Sequence, residues 1–239
     1  VVVLSEAMRK RVEFFIPEVA DRIHVIPSWA DTERIKPLAK SDNWFVKKHG
    51  LEHTFNVLYS GNQGRCHDLV TLMGAALILR DESSIRFVFI GGGAQNQRIR
   101  DLADDWGLVN CLFLPYQEYQ DLPYSLTCAD LAVVSLSINA CGLLAPSKLY
   151  GHMAAGSVVA TIAQPREDLR LLSGSYGKGF NNGDGMGLAG FIKYLTLNPL
   201  QASRLKEVAR QEAEASYSGA AVARVYAKII DFRSLRIKE

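Results

Sequence analysis

Four short clusters combine residue types that hold anions or bases. The first is Gly61-Asn62-Gln63-Gly64-Arg65-Cys66-His67. Two glycines let a backbone approach a phosphate closely, and a guanidinium forks onto two phosphate oxygens. A helix starting just after such a turn adds free N–H groups and partial positive charge. The same segment also reads as a plain glycine-rich turn with a surface arginine, and His67 alone as a structural or solvated side chain. The second cluster is Gly91-Gly92-Gly93. Asn96 replaces the third glycine of a dinucleotide fingerprint, and the preceding strand lacks a terminal Asp or Glu for a ribose. That leaves a tight turn or a turn shaped to face a ligand. The third is Pro115-Tyr116-Gln117, where a tyrosine could lie against a nucleobase or at an ordinary loop rim. The fourth is Ala145-Pro146-Ser147-Lys148. Ser147 suits a helix cap. Lys148 in a first helical turn opposes the helix dipole by about 0.3–1 kcal/mol, a cost that a bound anion would offset.

These clusters follow segments that read as strands. Residues 55–60, 86–90, 111–114, 131–136 and 158–162 are short runs of β-formers. The run at 131–136 is apolar on both faces, as a central parallel strand requires. Between them lie helical stripes such as Leu69, Leu72, Met73, Ala76 and Leu77, with Asp68 as cap, and Ile99, Leu102, Ala103 and Trp106. A short helix is expected at 122–128 and another at 146–155, ended by Gly156. Beyond 162 the pattern is helical: Leu188, Phe191, Ile192 and Leu195, then Leu205, Val208 and Ala209 after Pro199, then Val222, Val225, Tyr226 and Ile229. Alternating strands and helices imply an α/β fold with a doubly wound, Rossmann-like parallel sheet. Ligands of such sheets bind outside the carboxyl ends of the strands, so the four clusters would share one face. Together they describe a cradle for a nucleotide diphosphate. The first residues differ: a strand at 1–4, a helix from Ser5 to about residue 15, a short strand at 23–26, then a polar linker at 28–42.

Composition narrows the functions. The 239 residues carry 27 Lys and Arg against 25 Asp and Glu, a net charge of +2. This balance gives no case for nucleic acid as a partner. No apolar run approaches the roughly 18 residues of a membrane span. The 4 cysteines show no CxxC spacing. Zinc and thioredoxin chemistry are therefore not expected, and a reducing compartment is. Cys111, Cys128 and Cys141 read as small buried side chains. No metal cluster, paired carboxylates or Ser-His-Asp set competes with the cradle. At about 150 residues per domain the length is about 1.6 domains. With no initial Met, the chain reads as a piece of something longer.

The order of motifs resembles the C-terminal half of a GT-B glycosyltransferase of family 4, the large retaining family, in the subgroup with a Pro-Ser-Lys box. IHVIPSWADTERIKPL (23–38) is similar to that family's interdomain junction, and NVLYSGNQGR (56–65) to its first C-domain strand and glycine turn. RFVFIGGGAQNQRIRDLA resembles its second strand, turn and helix. CLFLPYQEYQDLPYSLTCADLAVVSL resembles the stretch whose turn meets the base, and APSKLYGHMAAGSVVATIA the helix and strand after it. Val3-Leu4-Ser5-Glu6-Ala7 is similar to the last N-domain strand and helix.

The resemblance implies a transferase that binds a nucleotide-diphosphate sugar and passes the sugar to an acceptor with retention, using no cofactor and no metal. Residues 1–38 would be the tail of a missing N-terminal acceptor domain plus linker. Residues 39–239 would be the nucleotide-sugar-binding domain with its C-terminal helices. Arg65 and Lys148 would steady the departing diphosphate. Gly61, Asn62, Gln63, Gly64, Gly92, Tyr116, Gln117 and Ser147 would contact the donor. The acceptor would be lipid-linked or a polysaccharide, and the full-length protein cytoplasmic or peripheral to the inner membrane face. The chain departs from the family at several positions. Its two glutamates are replaced by Leu143 and Gly151, its arginine after the first glycine by Asn62, and its later lysine by His67. Gly156-Ser157-Val158 lacks the usual proline. The alternative is a non-catalytic relative that binds nucleotide sugar or a protein partner.

Overall fold

Ser5 separates the first strand from the first helix because its Oγ accepts the Met8 N–H at 3.2 Å. Strand β1 (Val2–Val3) therefore gives way to α1 (Glu6–Phe15), and a 3-10 segment at Pro17–Arg22 leads to β2 (His24–Val25), parallel to β1. The computed structural model describes residues 1–140, 142–165, 167–172 and 174–230. Residues 26–39 form no helix or strand beyond a bridge from Ala30 to Ser218. A short helix that the sequence does not predict, α2 (Trp44–Lys48), begins at buried Asn43, whose Oδ1 accepts from the Phe45 and Val46 N–H groups.

The main sheet follows. Its elements are β3 (Phe55–Ser60), α3 (Val70–Ile78), β4 (Ile85–Ile90), α4 (Asn96–Asp105), β5 (Cys111–Leu114), α5 (Leu122–Leu126) and β6 (Leu131–Ser135). Then come α6 (Lys148–Ala154), β7 (Val158–Ile162), α7 (Asp168–Leu172), β8 (Gly177–Phe180), α8 (Gly185–Leu197), α9 (Pro199–Ser216) and α10 (Gly219–Ile229). All six strands are parallel, in the order β5-β4-β3-β6-β7-β8. Chain order thus reverses between β3 and β6, as in a Rossmann-like sheet.

Alternate side chains feed two cores, one on each face. Leu58, Val88, Val134 and Val159 pack with Leu149 and Met153 of α6 and Ala209 and Ala213 of α9. Val57, Phe87, Phe89 and Val133 pack with Leu72 and Met73 of α3, Ile99 of α4 and Ile192 of α8. Asp68 caps α3 as expected, accepting the Thr71 N–H at 3.0 Å. Val208 and Val225, read as parts of apolar stripes, are instead exposed. Cys128 is buried, Cys111 half-buried and Cys66 exposed; Cys141 lies outside the described residues.

Strand β8, like α2, is an element that sequence patterning missed. Gly177-Lys178-Gly179-Phe180 holds one β-former, yet it pairs along β7. A Cβ on Gly177 would overlap the Val159 carbonyl, so the residue is glycine because the strands meet too closely for anything larger.

Two polar clamps tie the outer segments to this body. Asp130 accepts from Lys40 at 2.5 Å, from Lys206 at 2.8 Å and from the Asn56 N–H at 2.9 Å. Arg210 of α9 donates to the carbonyls of Thr32 at 3.0 Å, Ile35 at 2.7 Å and Ala154 at 2.7 Å. No described helix is long and apolar enough to cross a membrane.

Candidate functional site

The reversal between β3 and β6 leaves a crevice at the strand ends. The turn after β3 carries Gly61, Asn62, Gly64 and Arg65, and α6 opens beside it with Ser147 and Lys148. All six border one cavity of about 1020 Å³. Its described lining also holds Arg34, and Asp31 is the single carboxylate among three cationic side chains. The crevice is therefore electropositive, and fields are focused in such clefts.

Lys148 is the most constrained of these cations. Its ammonium donates to the Tyr59 hydroxyl at 2.8 Å and to the Asn62 carbonyl at 3.4 Å. It also stands 4.2 Å from the centre of the Tyr59 ring. The Tyr59 hydroxyl in turn donates to the Asn62 carbonyl at 2.9 Å. Burial lowers Lys148 to about 8, and raises Tyr59 far above the usual phenol range. The lysine is thus held by neutral oxygens and a π face, which leaves its charge uncompensated.

The other sequence-derived residues separate into three groups. The Arg65 guanidinium is exposed and makes no hydrogen bond or ion pair with the described residues, so it can turn into the cavity. His67 also borders the cavity. Its Nδ1 donates to the Ser135 carbonyl at 2.7 Å, while burial and then Lys148 lower its pKa, so the ring is neutral with Nδ1 protonated. Ser147 lies exposed at the rim, but its hydroxyl caps nothing: its backbone is already helical, which turns the side chain away from the first-turn N–H groups.

Gln63, Gly92, Tyr116 and Gln117 do not line the cavity. Gln63 is buried beneath the second glycine turn. Its N–H donates to the Gly92 carbonyl at 2.7 Å, and its Oε1 accepts from Asn96 at 2.7 Å. This inward pairing corrects the expectation that the Gln63 side chain meets a ligand. Tyr116 lies over Gly91 and Gly92, with its hydroxyl donating to the Gly92 carbonyl at 3.1 Å. Gln117 donates to the Pro115 carbonyl at 2.8 Å. Gly91 brings the two glycine turns together: a Cβ there would collide with the Gly61 carbonyl.

Sequence reasoning missed the opposite wall. Trp29, Asp31 and Arg34, from the segment read as a linker, line the cavity together with Tyr119. The Arg34 guanidinium lies 4.1 Å from the centre of the Tyr119 ring and donates to the Tyr119 carbonyl at 3.2 Å. Leu144, Ala145 and Pro146 divide this space from a second cavity of about 300 Å³, mostly apolar, whose described lining contains no Lys or Arg. Among the described residues, no three His, Cys, Asp or Glu side chains are grouped to hold a metal ion.

Comparison with known proteins gives no matching family model. WcaI of Escherichia coli K12, which carries the name of a colanic acid biosynthesis glycosyl transferase, is 31% identical over 156 residues, covering 64% of this chain and 38% of that protein. WbjE of Pseudomonas aeruginosa, named as a glycosyltransferase, is 24% identical over 195 residues, covering 81% of this chain and 48% of that protein. The chain thus spans less than half the length of these two relatives. Among solved structures, sucrose-phosphate synthase of Thermosynechococcus elongatus superposes with a TM-score of 0.79 at 19% identity, over 98% of this chain and 57% of that one. HepE of Anabaena, in complex with UDP and glucose, gives 0.79 at 15% identity over 95% and 61%. The fold is that of a GT-B C-terminal domain, and in sequence and architecture the chain resembles the C-terminal half of a GT-B glycosyltransferase.

Proposed function

We propose that the chain is the donor-binding half of a retaining glycosyltransferase that transfers a hexosyl-type sugar from a nucleotide-diphosphate sugar. The observation that supports this most is the crevice at the strand reversal: among the described residues, Arg34, Arg65 and Lys148 face a single carboxylate, and half-buried Lys148 has no counter-ion. The diphosphate would lie along the turn at Gly61, Asn62 and Gly64. Arg65 and Lys148 would neutralise the charge that grows on it as the glycosidic bond breaks. Lys148, already held in place by Tyr59 and Asn62, would act more strongly than a free cation in water, because little reorientation is needed during the reaction. No metal is assigned to this step.

In this reading residues 1–38 are the tail of an N-terminal acceptor domain with its linker, and 39–239 the nucleotide-sugar domain. A lipid-linked or polysaccharide acceptor would enter from the missing side, at the cytoplasmic face of a membrane. The chain alone would transfer sugar poorly, because in this reading the acceptor is held by the N-terminal domain. WcaI and WbjE carry glycosyltransferase names and HepE was solved with UDP, which supports the donor class. A second reading, a non-catalytic binder of nucleotide sugar, is favoured by Gly151: it borders the cavity without the carboxylate that the family resemblance implies there.

The test is thermal denaturation with millimolar UDP- and GDP-sugars. At least one should raise the melting temperature of the wild-type chain, and Lys148→Ala should remove most of the rise. A wild-type chain unmoved by every donor would overturn donor binding.

A further inference from the structure

Lys148 reaches the crevice from the first turn of α6, but its head group is fixed by β3 and the turn after it. Tyr59, the penultimate residue of β3, is fully buried. Its hydroxyl accepts from the Lys148 ammonium at 2.8 Å and donates to the Asn62 carbonyl at 2.9 Å. The same carbonyl accepts from the ammonium at 3.4 Å, so the three polar atoms close a triangle. An ammonium has three N–H donors. Two are engaged from behind, and one is left for a ligand. Gly61 backs the arrangement: a Cβ there would sit 3.6 Å from both Cε and Nζ of Lys148. A buried phenol is costly unless its hydroxyl is bonded, and phenylalanine would fill the same space without that cost. The hydroxyl is therefore the part of Tyr59 that calls for a role. A carboxylate in its place would hold the ammonium and cancel its charge. The hydroxyl holds it and leaves the charge to the crevice, because burial raises Tyr59 far above the usual phenol range and keeps it neutral.

We propose that Tyr59 is a positioning residue, whose hydroxyl aims the Lys148 ammonium at the diphosphate and favours its charged form. This rests on the donor-binding reading above and adds the group that stands behind the lysine. A hydrogen-bond acceptor on an ammonium favours protonation, and so does an aromatic face. Burial already lowers Lys148 to about 8, and without the hydroxyl oxygen it would fall further. The other titratable groups around it do not take over this task. His67, from the turn after β3, is neutral with its Nδ1 on the Ser135 carbonyl. His152, one turn along α6, is enclosed and lowered by burial. Arg65 shares the cavity lining and adds like charge, and Asp31 lies in the part of the lining that residues 28–35 supply.

The experiment is isothermal titration of the full chain with UDP, GDP and inorganic pyrophosphate across the lysine's titration range, for wild type and for Tyr59→Phe, which keeps the ring. The ionisation of the probe is common to both proteins and cancels in the ratio of their dissociation constants. For the tightest probe that ratio should stay within about threefold at about pH 6 and climb by a further factor of about ten at about pH 9, since one unit of pKa is tenfold in the charged fraction. On a Lys148→Met background, Tyr59→Phe should cost no further affinity, because the hydroxyl then has no ammonium to hold. Tyr59 is buried, so melting curves accompany each titration, and trimethylamine N-oxide keeps a weakened variant folded. A ratio that does not change with pH, or the same loss on both backgrounds, would overturn the positioning role while the donor reading stands. If the wild type binds none of the three probes, both are overturned.

Discussion

The Lys148 ammonium rests on the face of Tyr59 and donates to its hydroxyl at 2.8 Å, with no carboxylate among the described residues to balance the charge. Burial holds this lysine near 8, below its ordinary 10.5. Between those values the unfolded chain carries a proton that the folded chain lacks, so stability rises as pH climbs from about 8 to 10.5, and the cost of the buried charge is fully present below 8. Replacing Lys148 with Met removes that cost along with two hydrogen bonds. The ligand-free K148M chain should therefore melt no lower than wild type at pH 7, yet lose diphosphate affinity. In the wild type that affinity should decline above about pH 8, with the midpoint moved upward by the bound anion. A K148M chain that melts far below wild type would contradict this account.

The Arg65 side chain is exposed and makes no hydrogen bond or ion pair with the described residues. Arg65→Ala should leave the melting temperature unchanged while weakening diphosphate binding by about 1.5–3 kcal/mol, the usual range for charged hydrogen bonds. Calorimetric titration against differential scanning calorimetry separates the two effects. Equal loss of stability and affinity would count against a ligand role.

Two glycines should respond in opposite directions. Gly177→Ala forces a Cβ into the Val159 carbonyl, so β8 must part from β7. We expect a loss of about 3 kcal/mol or more, the scale of severe core disruption. Gly190, inside α8, leaves open space for 4 Å around the point where a Cβ would sit. Gly190→Ala should stabilise by about 0.5–1 kcal/mol through reduced backbone freedom and better helix propensity. Urea denaturation reads both.

His152 is fully enclosed in α6 with neither ring nitrogen hydrogen-bonded, and burial, then Lys148, lowers it to about 3. Between that value and the ordinary 6.5, the unfolded chain binds a proton that the folded chain refuses. Stability should fall as pH drops from about 6.5 toward 3. His152→Leu should flatten that part of the profile, measured as melting temperature against pH. An unchanged slope would exclude His152 as its source.

The parts legible in the sequence are those whose local chemistry is strong. Strands at 55–60, 111–114 and 158–162 appear in the structure with those bounds because each is a compact run of β-formers closed by a turn. Lys148 and the turn at Gly61 and Gly64 are legible as neighbours because parallel strands deliver their ends to one face. Strand β8 is not, since Gly177 answers to the Val159 backbone and Gly179 to the Arg170 side chain rather than to any local preference. Gln63 misleads because backbone pairing with Gly92 and Gln95 decides which way it points. Arg34 and Trp29 escape notice because a polar segment takes its course from distant partners, here carbonyl contacts to α9.

Those carbonyl contacts have a mechanical consequence. Arg210 grips the backbone at Thr32 and Ile35 with the same guanidinium that holds Ala154 at the end of α6, and the Ala30 N–H is held by the Tyr217 carbonyl at 2.9 Å. Arg34 and Lys148 are therefore mounted on one frame. The spacing between the two ends of the crevice is thus set by the C-terminal helix α9, through Arg210, rather than by the segment that leads into Ala30.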